Sequence, residues 1–318
     1  MMPAEEFQVS PGPHLWCGLS VSKVMYLVFL SLLFPTAAAV YYFGIHALLV
    51  IITSVVTAVI TEFLIKKLRG QPFVMDGSAL ITGLLLALTL PSSIELWMVA
   101  LGAVFAIAIV KEAFGGLGHN IFNPALGARA FMSASFAAPM TTWLLPLSAD
   151  GVTTATPLAD GFVWSARLAA RLALYKDMFM GLRAGSLGET SALAILVGAA
   201  VLLVFQIIDW RIPVTYLGVV FVLSAISGSD PFMQLMAGGL LLAAFYMATD
   251  YVTSPLTYRG RIIFGIGCGL VTFVIRHFGG LPEGVCYSIL FMNALTPLID
   301  RYVKVKPYGF KKAVKNAA

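Results

Sequence analysis

A chain of 318 residues that is 59% hydrophobic and 11% charged, with a mean hydropathy of +0.92, is not an ordinary soluble domain, since such domains carry roughly 25% charged residues. The net charge of +5 is scattered between apolar runs, so it sets orientation in a lipid bilayer and does not suggest nucleic-acid binding. Cys17, Cys268 and Cys286 lie far apart with no CxxC, which excludes a disulfide framework and a zinc or iron–sulfur set and leaves small core residues.

Runs of about 17–25 apolar residues are the unit that crosses a bilayer. The first twenty residues hold no continuous apolar stretch, so no cleavable signal peptide is expected. Spans are predicted at 24–43 and 45–65, the second stopped by Lys66, Lys67 and Arg69. A short run at 78–90 ends at Pro91, then 94–110 and 125–145 follow, with Arg129 near the start of the latter. Beyond a polar region come 191–208, 212–227, 232–248, 262–275 and 285–299. The fold class expected is all-α: a polytopic membrane protein of about ten transmembrane helices.

Orientation follows from lysine and arginine positions. With the N-terminus in the cytoplasm, fourteen of these twenty residues fall inside and five outside, Arg129 lying in or beside a span. Both termini are then cytoplasmic and the polar loop is periplasmic. The expected organisation is an N-terminus at 1–22, a first five-helix half at 23–145, an outer loop at 146–190, a second five-helix half at 191–300, and a basic cytoplasmic tail at 301–318. Five spans per half make the halves run in opposite directions. A short echo agrees: Asp76 precedes Gly83-Leu84-Leu85-Leu86-Ala87, and Asp230 precedes Gly239-Leu240-Leu241-Leu242-Ala243. Such runs are also common in unrelated membrane helices. Inverted repeats place a site at their interface, near broken helices.

Polar segments interrupt this pattern. From Asp150 to Leu158 the outer loop carries an Asp-Gly turn signal and three threonines in four residues: Thr153, Thr154 and Thr156. On composition alone this is a solvated connector that satisfies its own backbone. Residues 162–182 suit an amphipathic helix holding Arg167, Arg171, Lys176 and Asp177. The run from Gly185 to Ser191 fits either a helix cap or an anion site. From Lys111 to Ala125, three glycines in four residues precede Asn120 and Asn123. Glycine admits close backbone approach, and asparagine amides can read the edge of a heterocycle; a tight turn with asparagine caps fits as well. Asp250 to Pro255 is a comparable break. Glu62, Asp76, Glu95, Glu112, Asp230, Asp250, Glu283 and Asp300 sit near span ends, mostly where solvent would reach them. His46, His119 and His277 have no metal-ligand spacing.

Six stretches taken together resemble one family. They are 76–91 (DGSALITGLLLALTLP), 114–131 (FGGLGHNIFNPALGARAF), 153–158 (TTATPL), 185–191 (GSLGETS), 278–284 (FGGLPEG) and 292–301 (MNALTPLIDR). The ordered set is similar to the D-type subunit of the Rnf ion-translocating oxidoreductase (RnfD/RsxD), and more distantly to the B-type subunit of the sodium-pumping NADH:quinone reductase. The resemblance covers residues 15–303. The short N-terminal region and the Asp76-Gly77-Ser78 wording favour the Rnf protein.

The resemblance implies FMN joined by a phosphoester to Thr156, installed by a flavin transferase. Thr154 stands where the family usually has glycine or serine, while Ala155-Thr156-Pro157-Leu158 keeps its pattern. It also implies a non-covalent riboflavin, with Asn120 and Asn123 as candidate contacts. Arg167, Arg171 and Arg183 share the outer loop and are candidates to screen the flavin phosphate. The function implied is electron transfer between ferredoxin and NAD, coupled to Na+ or H+ movement, within an assembly of A-, B-, C-, E- and G-type subunits in the bacterial inner membrane. Such a chain is one part of a translocase, without a complete active site and with no resident metal. Two alternatives stay open: a passive small-solute channel of urea-transporter-like fold, and the quinone-reductase protein.

Overall fold

The computed structural model describes residues 20–147, 168–279 and 284–304. Its elements are helical: α1 (Val21–Leu68), α2 (Ser78–Thr89), α3 (Leu96–Phe105), α4 (Pro124–Ser135), α5 (Ala137–Met140), α6 (Leu168–Met180), α7 (Ala192–Val204), α8 (Arg211–Ile226), α9 (Pro231–Met236), α10 (Leu240–Leu242), α11 (Tyr258–Phe278) and α12 (Val285–Tyr302). A π-helical turn, Ala106–Lys111, and a 3-10 turn, Glu112–Phe114, extend α3. A second π-helical turn, Ala243–Met247, extends α10. Among the described residues, Val21–Leu68, Leu96–Phe114 and Tyr258–Phe278 are long and apolar enough to cross a membrane.

At 1.5 Å per residue, the 48 residues of α1 would run to about 72 Å, more than twice a hydrocarbon core of about 30 Å. The chain resolves this at Gly44, whose φ of 71° and ψ of −152° are not helical. The two limbs then fold back on each other. A Cβ placed on Gly77 would lie 3.2 Å from Met25 Cβ, on the first limb. Glu62, on the second limb, is joined through Lys111 to Ser78. Residues 25 and 62 therefore lie at the same end of the hairpin, as two adjacent predicted spans require.

The short run at 78–90 folds as α2, and nearly all of it is buried. It needs no membrane-spanning length because it packs inside the bundle. Gly83 makes the approach close: a Cβ there would meet Val55 Cα at 2.8 Å, and Ser54 Oγ donates to Gly83 O at 2.6 Å. Small residues and interhelical hydrogen bonds of this kind hold membrane helices together. Ile45, Leu48, Ile52, Val56 and Ile60 lie exposed along the second limb, as a lipid-facing stripe should.

Two predicted spans are not continuous. The run at 125–145 divides at Phe136 (φ −129°, ψ 53°) into α4 and α5. The run at 232–248 divides into α9, α10 and the π-helical turn, because Gly238 and Gly239 adopt φ of 67° and 66°. The echo is partly structural. Asp76 Oδ1 accepts from Ser78 N at 2.8 Å, and Asp230 Oδ1 accepts from Phe232 N at 3.1 Å. Gly83, however, sits inside a helix while Gly239 breaks one.

Candidate functional site

The segment after α3 turns sharply because Gly115, Gly116 and Gly118 take φ of 119°, 89° and 91°, a region closed to most side chains. The chain re-enters the bundle at Asn123, the N-cap of α4, followed by Pro124 at the first helical position. Asn123 Oδ1 accepts from Ala125 N at 3.1 Å and Leu126 N at 3.3 Å, and its Nδ2 donates to Met247 O at 3.3 Å. The Asn293 amide, oriented to satisfy both neighbours, accepts from Asn123 N at 3.2 Å. Asn120 is 6% exposed, and its Nδ2 donates to Phe122 O at 3.0 Å.

These asparagines share one cavity between the first limb of α1, α2, α7 and the region after α10. Ile81, Leu85, Leu202, Ile208 and Phe245 supply apolar walls. Ser78, Thr82, Lys111, Asn120, Thr249 and Asp250 supply polar groups. Both π-helical turns contribute to the lining, through Lys111 and through Phe245 and Tyr246; such turns recur at functional sites. Apolar faces with a few convergent polar groups are the chemistry that holds a flat heterocycle with a polar edge. The residues present therefore fit a flavin ring in kind. The Asn123 amide is committed to backbone groups, and Asn120 lines the same cavity with its Nδ2 bonded to Phe122 O.

Behind the cavity lies an ionic network that the sequence pattern does not disclose. Glu62 and Lys111 are each 2% exposed, and Glu62 Oε1 accepts from Lys111 Nζ at 2.9 Å and Lys66 Nζ at 3.0 Å. Lys111 also donates to Ser78 Oγ at 2.6 Å, and Ser78 Oγ donates to Asp76 Oδ1 at 2.6 Å. Glu112, 1% exposed, accepts from Arg69 at 3.3 Å, and its other oxygen has no partner. Glu62 and Glu112 are thus buried, not the solvated boundary carboxylates expected. The i,i+4 pairing of Glu62 with Lys66 was the one signal available in advance.

The run at 185–191 resolves as caps and turns. Ser191 Oγ accepts from Ala194 N at 3.3 Å, while Leu187 N and Gly188 N donate to Leu90 O and Leu88 O at 3.0 and 2.6 Å. Those N–H groups are spent. Arg183 lies beside Glu189, Thr190 and Met236, and its buried Nε has no partner. Of the helix expected at 162–182, Leu168–Met180 is helical as α6, and residues 162–167 lie outside the described residues. Thr156 and Arg167 lie outside the described residues, and of Arg171 only its place on α6 is described. Among the described residues no cluster of His, Cys, Asp or Glu could hold a metal ion. Cys268 and Cys286 are buried, as core cysteines should be.

The cavity and the contacts of Leu147 and Met180 lie at opposite ends of the first limb of α1. Leu147 N donates to Tyr42 O at 3.0 Å, and Tyr42 Oη donates to Met180 O. Met25, on the cavity wall, lies seventeen residues before Tyr42, a helical rise of about 26 Å.

The model of the NQR2, RnfD, RnfE family matches residues 8–309. The chain belongs to the RnfD/RsxD family. It is 47% identical to the D-type subunit of the proton-translocating ferredoxin:NAD(+) oxidoreductase complex of Clostridium ljungdahlii, covering 96% of this chain and 97% of that one. It is also 47% identical to the Na(+)-translocating counterpart of Acetobacterium woodii, with 97% of each chain covered. The D-type subunit of the ion-translocating oxidoreductase complex of Stutzerimonas stutzeri is 41% identical, over 91% and 92% of the two chains. This RnfD-family chain is accordingly one component of a multi-subunit ion-translocating oxidoreductase, embedded in the bacterial inner membrane with other Rnf subunits.

Proposed function

We propose that this chain carries electrons through an Rnf-type complex, along the path between ferredoxin and NAD, using two flavins at opposite faces of the membrane. FMN is esterified to the Thr156 hydroxyl in the periplasmic loop. Riboflavin occupies the cavity beside Asn120 and Asn123. Bound flavin supplies reversible electron transfer, and this chain supplies position, burial and charge. Ten spans in two inverted halves, both termini cytoplasmic, carry the assembly. Electron flow is coupled to Na+ or H+ movement, subunits of A, B, C, E and G type are the neighbours, and a flavin transferase matures the loop. Arg183, with its unpartnered Nε, joins Arg167 and Arg171 in screening the FMN phosphate.

The observation that supports this reading is the amphiphilic cavity around Asn120, about 26 Å along a helix from the residue that fastens Leu147 and Met180. The quinone-reductase alternative loses ground because the two 47% relatives bear ferredoxin:NAD(+) names. The passive-channel alternative predicts no flavin at all. Mass spectrometry of the chain from a host with the transferase decides: the Thr156 peptide should be heavier by one FMN residue. Thr156→Ala should abolish in-gel flavin fluorescence. An unmodified native peptide overturns the assignment.

A further inference from the structure

The two charged residues that line the cavity among the described residues are Lys111 and Asp250. Asp250 turns its carboxylate into its own turn, accepting from Thr253 Oγ1 at 3.2 Å and Val252 N at 3.5 Å. Lys111 is held differently. Its Nζ is fixed from behind by Glu62, and Ser78 Oγ fixes it at the cavity wall. Glu62 shares its oxygen with Lys66, so one carboxylate answers two ammonium groups. Asp76, beyond Ser78, brings the local sum close to neutral. The network can therefore stay buried, and Lys111 and Ser78 are its members that line the cavity.

From this geometry we infer that Lys111 is the positioning charge that sets how readily the cavity's flavin accepts electrons, with Glu62 and Ser78 holding it in place. The inference rests on the reading that a flavin occupies this cavity. A flavin held there would gain one negative charge with each electron it accepted from a donor carrier of the complex, which would be oxidised in that step. In a water-poor site such a charge is felt far more strongly than in bulk water. Lys111 offsets it without crossing the cavity. Glu62 opposes it, because it draws on the same ammonium. The two residues should therefore tune the flavin in opposite directions, which a purely structural salt bridge would not do.

The test is a redox titration of the intact purified complex, with the covalent flavin as an internal reference and acid-extractable riboflavin measured alongside. Lys111→Met should make the midpoint potential of the non-covalent flavin more negative, by at least a tenfold change in the reduction equilibrium, about 59 mV for a one-electron couple. Glu62→Gln should shift it the other way, and the covalent flavin should move in neither. Leu85→Trp, which fills the apolar wall, should expel riboflavin. Unchanged or same-direction shifts, with riboflavin lost only in Leu85→Trp, overturn the role of Lys111 and leave the cavity assignment standing. Riboflavin retained in Leu85→Trp overturns the cavity assignment, and the inference with it. Should Lys111→Met fail to assemble, the sign of the Glu62→Gln shift decides alone.

Discussion

At Asp209, between α7 and α8, one carboxylate gathers a chain of partners. Its Oδ2 accepts from Arg261 at 2.7 Å and from Arg211 at 2.9 Å, and the Arg211 guanidinium lies 4.2 Å from the Tyr258 ring centroid. Burial pulls the Asp209 carboxyl upward, but the bonds from the Arg211 backbone and the two guanidinium groups outweigh it and hold the group below the ordinary carboxylate range. The folded value is thus lower than the unfolded one. The stabilisation is complete above the unfolded value, about 3.9, and is lost as pH falls through the folded value. Asp209→Asn should cost about 1 kcal/mol at pH 7, read as a lower thermal midpoint of the detergent-solubilised protein. The gap to the unaltered protein should narrow below about pH 4; a gap independent of pH would remove the charge from the explanation. Single residues were unevenly legible in the sequence. Asn120 stood out because an amide is unusual amid glycine and apolar residues. Glu62 and Lys111 did not, since a charge near the end of an apolar run ordinarily reaches solvent, and only the folded bundle shows that these two meet each other instead.

Helix breaks carry a matching lesson for whole elements. Hydropathy located the reversal in α1, because 48 apolar-rich residues cannot cross a bilayer once. It missed the break between α9 and α10, because glycine scarcely lowers the average of a run. The break leaves the last carbonyls of α9 without helical partners, and Arg276 supplies them. Its Nη1 donates to Gln234 O at 2.6 Å and its Nη2 to Ala237 O at 2.9 Å. Irregular backbone at membrane depth persists only where protein satisfies it. Arg276→Ala should therefore destabilise the protein by about 2–4 kcal/mol and raise amide hydrogen exchange at residues 231–243 above that of α11. Equal protection in the variant would mean that the break is held by packing alone. The same reasoning covers α2, whose twelve residues made a poor span in the sequence and a good core helix in the fold.

For the molecule as a whole, the cavity is a joint between distant parts of the chain. Asn123 N–H meets Asn293, Asn123 Nδ2 meets Met247 O, Tyr246 Oη donates to Ser31 O, and the Cys286 thiol donates to Leu126 O. Asn123→Ala thus removes a helix cap and one of these ties together. The cap alone is worth about 1 kcal/mol. The loss falls at one end of the first limb, while Tyr42, Leu147 and Met180 meet at the other. A local opening at the cavity need not spread over the roughly 26 Å between them. Asn123→Ala should therefore lower acid-extractable riboflavin at least twofold and leave flavin fluorescence of the denatured band unchanged. Thr156→Ala should do the reverse, removing the fluorescent band while riboflavin stays. Joint loss of both signals in either variant would show one cooperative flavin unit in place of two separable ones. It would also move the effect of Asn123 from the cavity to the stability of the entire bundle.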